Sequence, residues 1–215
     1  GKLSHSDNSS DSYPIYKMNL QIPGNLTVSS NGSINVDYLG YDNATGKDSY
    51  GGEGGKTSGT PGPTYGSVSS PTDIGTGGEI KLTVGGLSTI SGTVSSSGHI
   101  GGYGAAGAGG SIFITTSIIA GSGTMHVNGG WTNYNGGGGG GRMAVILTSG
   151  DFSSAPTMQA YGGGGNGGTH ASAGTIYKKT ASQTYGTVTV DNGTTNSSRY
   201  ATLCGEGTNY DSECG

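Results

Sequence analysis

The chain has 215 residues, 48 of them glycine, with 10% charged residues and a formal net charge of -4. That length suits one domain, or one domain with a short appendix; nine Lys plus Arg without a basic run exclude a phosphate-tracking nucleic-acid surface, which needs clustered positive charge. The apolar stretch Ala144 to Leu147, like the others, is far too short to insert in a membrane as a helix.

Leu, Ile, Val and Phe together make only about 15% of the chain, a level typical of disordered sequences. Disorder from composition also needs high net charge, which is missing. The arrangement of the few apolar residues therefore decides. The chain opens Gly1-Lys2-Leu3-Ser4, without Met or an apolar leader core, as expected of a processed product or a piece of a longer protein.

Taken in order, Tyr13, Ile15, Tyr16, Met18, Leu20 and Ile22 alternate well enough to predict an N-terminal coil or cap over about residues 1–23. A two-part unit then recurs five times. Its first part is Gly followed by alternating apolar residues: Gly24-Asn-Leu26-Thr-Val28, Gly78-Glu-Ile80-Lys-Leu82, Gly110-Ser-Ile112-Phe-Ile114, Gly141-Arg-Met143-Ala-Val145 and Gly174-Thr-Ile176-Tyr-Lys178. Period-2 alternation predicts strands with one buried face. The second part, about a dozen residues on, is Gly32-Ser-Ile34, Gly92-Thr-Val94, Gly123-Thr-Met125, Pro156-Thr-Met158 and Gly186-Thr-Val188.

Steps from Ile80 to Ile112, Met143 and Ile176 are 32, 31 and 33 residues, a period that signals stacked coils. The 54-residue step from Leu26 to Ile80 predicts an insertion in one arm, roughly Asp42 to Gly77. The fold expected is all-β: a parallel β-helix or β-solenoid of about five coils over residues 1–193. A tail follows from Thr194.

Gly-rich arms, Gly98 to Gly110, Gly129 to Gly141 and Gly162 to Gly174, link the second strand of one unit to the first of the next. Two readings compete: mobile linker-like loops, or stacked polyglycine-II-like segments whose backbones approach too closely for any side chain. Their equal lengths favour stacking.

The stretches Leu3-Ser-His-Ser-Asp7, Gly24-Asn-Leu-Thr-Val28, Gly110-Ser-Ile-Phe-Ile114, Gly136 to Gly141 with Arg142-Met143, and Ala173-Gly-Thr-Ile-Tyr177 resemble a glycine-rich repeat domain of large secreted and surface proteins of bacteria and protists. The resemblance covers about residues 3 to 193. It implies a parallel β-helix of adhesins and filament-forming proteins, including components similar to protist flagellar hairs (mastigonemes), and an extracellular or cell-surface location. It brings no catalytic residue, and the tail from Thr194 lies outside it.

Catalytic chemistry finds little support in the residues. Gly102-Tyr-Gly104-Ala-Ala-Gly107 formally matches a dinucleotide-binding fingerprint but opens no helix. His5, His99, His126 and His170 fall in different phases of the repeat and are read as solvated or at loop tips, while Glu53, Glu79, Asp151 and Asp191 do not recur on one face as a hydrolase would need. No enzyme and no cofactor are expected; a polysaccharide-degrading β-helix is the weakest alternative. For metals, Asp7 to Asp11 and the acids Glu206, Asp211 and Glu213 are oxygen-rich enough for calcium but match no calcium loop.

Cys204 and Cys214, with Gly205 and Gly207 between them, are read as a short disulfide loop of an oxidising compartment, against the alternatives of two unpaired thiols or the start of a further module. Asn8, Asn25, Asn31, Asn43, Asn192 and Asn196 head N-glycosylation sequons. Aromatics in or beside the arms, Tyr50, Tyr65, Tyr103, Trp131, Tyr134 and Tyr161, either form a stripe for glycans or shield the arms. Thr93, Thr124, Thr157 and Thr187 repeat at one outward position, the pattern of an ice-binding array. The leading functional expectation is a structural building block of a filament, appendage or surface coat, partnered by copies of itself or neighbouring modules; an adhesin or glycan-binding module is the alternative.

Overall fold

The computed structural model describes residues 1–8, 15–41, 49–55, 61–101, 106–133, 136–165 and 170–194. Its strands are β1 (Lys2–Leu3), β2 (Met18–Ile22), β3 (Leu26–Val28), β4 (Ser33–Asn35), β5 (Glu79–Ile90), β6 (Thr93–Ser95), β7 (Ser111–Ala120), β8 (Thr124–His126), β9 (Arg142–Leu147), β10 (Thr157–Gln159), β11 (Thr175–Lys179) and β12 (Thr187–Thr189). They build a β-solenoid of about five coils. A five-strand sheet runs β1-β4-β6-β8-β10, and a seven-strand sheet runs β12-β11-β9-β7-β5-β2, with β3 also on β5.

The repeat explains the register. Ile80 pairs with Ile112, Ile112 with Met143, and Met143 with Ile176, so each 31–33-residue step places like on like. Across the core, Ile34, Val94, Met125 and Met158 form the facing file. Most of these side chains are fully buried, each contributing about 1.5–3 kcal/mol by leaving water. Parallel ladders with the coils above and below satisfy the strand backbones, so a thin apolar core suffices.

Two alignments differ from the sequence-based expectation. Met18, not Leu26, pairs with Ile80, and Leu26 pairs with Ser88; β2 and β3 together match the long β5, whose register shifts between Val84 and Leu87. Residues 18–22 are thus a full rung, and β1 on β4 extends the five-strand sheet at this end. Local alternation could not separate two short strands from one strand with a break.

The second difference lies in the fifth coil. Thr187–Thr189 does not continue the five-strand sheet but folds back antiparallel on β11, with Tyr177 opposite Val188. The cause is in the inward file: Lys178 stands where Val145 stands one coil earlier. Lys178 is only half-buried, its Nζ lying over the Phe152 ring at 5.5 Å, so the apolar stack ends here, and a charged inward residue is a common way of stopping a sheet.

Candidate functional site

The described residues of the glycine arms are hydrogen-bonded to one another. Segment 136–141 hydrogen-bonds to neighbours on several sides: Ala106 and Gly109 donate to Gly136 and Gly139, Gly138 donates to Gly130, Gly163 to Gly138, Gly140 to Ser172, and Gly52 and Gly55 to Gly140 and Gly137, all at 2.8–3.2 Å. A β-strand has two such neighbours; bonding in more directions is polyglycine-II-like packing. Cβ atoms built on Gly109, Gly130, Gly138 or Gly163 would fall far inside contact distance of a neighbouring backbone carbonyl. This requirement, rather than flexibility, accounts for the glycine.

The insertion predicted in the first arm lies in this lattice. Residues 50–55 bond to the third and fourth arms, and Tyr50 is wholly buried. Its hydroxyl meets Ser111 Oγ at 2.6 Å, its ring lies 4.9 Å from that of Tyr65, and the Arg142 guanidinium lies 5.8 Å from its centroid. Arg142, also fully buried, donates from Nε to the Tyr65 carbonyl at 2.8 Å and from Nη1 to Thr175 Oγ1 at 3.2 Å. Burial raises the pKa of both tyrosines well above the ordinary phenol value. Burial also pushes the Glu79 carboxyl up, opposed by Lys17, whose Nζ lies 2.7 Å away. Arg142 clamps the insertion onto the coils, a role hidden in the sequence by a strand position that reads as an ordinary outward residue.

The predicted aromatic stripe therefore divides. Tyr50 is core; Tyr161 is half-buried, its N–H donating to Asn128 Oδ1 at 2.8 Å; Trp131 is 43% exposed beside Ile100 at the arm tips, where Gly101, Thr132 and Gly165 align across three coils. Tyr103 and Tyr134 lie outside the described residues, as do Cys204, Cys214, Asn43, Asn196 and the tail acids Glu206, Asp211 and Glu213. Of the other sequons, Asn25 and Asn31 are exposed. Asn8 is buried, and its Nδ2 donates to the Tyr16 and Leu39 carbonyls; Asn192 Nδ2 donates to the Ala171 carbonyl. Both amide nitrogens are thus engaged by backbone carbonyls.

The outer face of the five-strand sheet carries aligned polar files. Ser33, Thr93, Thr124 and Thr157 share one file, so three of the four predicted threonines stack and Thr187 does not, because β12 has left this sheet. The next file is Asn35, Ser95, His126 and Gln159. Beside it Asp37 accepts from Ser97 N–H and Asn35 Nδ2, each at 2.6 Å, and from Ser95 Oγ at 3.0 Å. Ser97 Oγ lies 2.9 Å from His126 Nδ1. His126 is thus half-buried rather than at a loop tip, and burial lowers its affinity for a proton, partly opposed by Asp37.

One residue beside this face, next to Asp37 in the chain, was not foreseen. Tyr38 has φ 64 and is 44% exposed; its ring meets that of His99 edge-on at 5.7 Å. A bulky side chain in left-handed backbone is rare and strained, and no residue pattern announces it. Among the described residues no three His, Cys, Asp or Glu gather as a metal-ligand group. A groove of about 200 Å³ opens at the C-terminal end of the core, lined by Phe152, Ala155, Pro156, Met158, Ile176, Lys178 and Thr189.

No family model, curated protein or solved structure matches the chain. Of the resemblance drawn from the sequence, the structure bears on the fold alone, a β-solenoid of about five coils.

Proposed function

We propose that the chain is a non-catalytic structural module of an extracellular filament, appendage or surface coat, assembling with copies of itself or with neighbouring modules through the ends of the solenoid. The observation that carries this reading is where the core is incompletely covered. Its middle members are buried, whereas Leu20, Ile22 and Leu26 at one end and Phe152, Ala155 and Met158 at the other are only partly so. Leu3, in the inward file with Ile34, is 46% exposed, and Tyr185 beside the C-terminal hairpin is 84% exposed. Among the described residues the outer edges of β1, β2 and β10 carry no paired strand, and such edges are templates for another chain.

Sedimentation velocity over a concentration series tests the reading. Association that grows with concentration and weakens in Leu3→Asp and Met158→Asp is expected. A strictly monomeric chain at all concentrations overturns self-assembly, and a chain that associates only with an added neighbouring module identifies the heterotypic form.

A further inference from the structure

We propose that the outer face of the five-strand sheet, from Tyr38 across His126 to Gln159, docks an extended neutral polysaccharide laid across the rungs. Beyond the edge residue Lys2, the two main files contain only Ser, Thr, Asn, Gln and His. Asp37 is the carboxylate among them, and both its oxygens accept bonds from the neighbouring coil or strand. Apart from Asp37 and the edge residue Lys2, the face therefore offers uncharged hydrogen-bonding groups, with Ser95 buried beneath them. An anionic partner would require Lys or Arg, and an apolar one would require an apolar surface.

The groups are also held in place before any ligand arrives. Ser97 is bonded to His126, and Asn128 Nδ2 lies 3.4 Å from Gln159 Oε1, so little side-chain freedom remains to be lost on binding. Rungs about 4.8 Å apart repeat a threonine hydroxyl at Thr93, Thr124 and Thr157, so an extended chain laid along that file meets a like group at each rung.

Tyr38 supplies the apolar contact. Its left-handed backbone costs on the order of 1 kcal/mol, yet the strained residue holds its ring half in water beside Asp37 and against His99. Strain that persists at an exposed side chain points to use of that side chain. An aromatic ring stacks on the C–H face of a sugar while hydroxyls at the sugar's rim bond to the polar files.

The test is retention of the full chain on insoluble cellulose and chitin, and retardation in gels containing a soluble neutral β-glucan, with alginate as the anionic control. Binding to at least one neutral polymer, unchanged by high salt, is expected. Tyr38→Gly should weaken it about tenfold while the melting temperature holds or rises, because glycine relieves the backbone. Tyr38→Phe should keep it, Thr124→Lys should weaken it, and Thr115→Lys on the opposite sheet should not. The proposal falls if no neutral polymer binds, if only alginate binds and salt abolishes it, or if Tyr38→Gly binds like the parent. Thermal hysteresis without polysaccharide binding would also overturn it, in favour of ice.

Discussion

Gly138 packs against the Gly107 carbonyl so closely that a Cβ on Gly138 would overlap it, in the middle of a lattice where Gly138 also donates to Gly130 and accepts from Gly163. The arms behave as a second core, built from backbone instead of side chains. Substitution should then act as overpacking does in an apolar core.

Gly138→Ala is expected to cost about 3 kcal/mol or more, the upper range for a forced extra methyl group. Gly24→Ala, with nothing near its would-be Cβ, should change stability by less than about 1 kcal/mol. Urea denaturation of both variants checks the contrast. Equal, small effects would mean that the arms are not packed.

Arg142→Ala should loosen the insertion selectively. The change removes charge-assisted bonds to the Tyr65 carbonyl and Thr175 and leaves buried acceptors behind, a loss of about 3 kcal/mol. Hydrogen exchange at the Gly52 and Gly55 amides, which donate to Gly140 and Gly137, should speed up more than at Val94 or Met125. Uniform acceleration would place Arg142 in the global core instead.

His126 predicts a pH dependence. Burial lowers its folded-state pKa below the ordinary 6.5, with Asp37 opposing. The unfolded chain therefore binds the proton more readily, and stability falls as pH drops below about 6.5. Stability measured at pH 7.5 and pH 5.5 should show this loss in the parent and a smaller one in His126→Gln. An identical pH slope in both would remove His126 as its source. Glu79, whose carboxyl is raised by burial, works in the opposite sense at lower pH, gaining stability as it is protonated.

Lys178→Val should strengthen association. Lys178 occupies the inward position of Val145 and reaches over the Phe152 ring at 5.5 Å. Replacing it extends the apolar file into the groove at the C-terminal end. The weight-average sedimentation coefficient should rise at lower protein concentrations than for the parent; no shift would argue that this end is not an assembly surface.

Periodicity made most of the fold legible. The file Ile80, Ile112, Met143, Ile176 was readable because each coil repeats the same two-part unit, and the arms were readable because equal length and extreme glycine content coincide. Three features were hidden. The antiparallel turn of β12 depends on one ammonium in an inward position, a local change within a pattern that otherwise repeats. The burial of Tyr50 and Arg142 depends on where a long insertion lands, which sequence spacing does not encode. Tyr38 depends on a backbone angle. The polar face was half visible: the threonine file stood out, but the Asp37, Ser97 and His126 network joins residues about 30 and 60 positions apart whose types differ from coil to coil.

Negative-stain electron microscopy of the full chain over rising concentration tests the structural role most directly. Linear or layered assemblies that lengthen with concentration are predicted, and they should be lost in Leu3→Asp. Isolated particles of single-chain size at every concentration, with and without neighbouring modules, would contradict it.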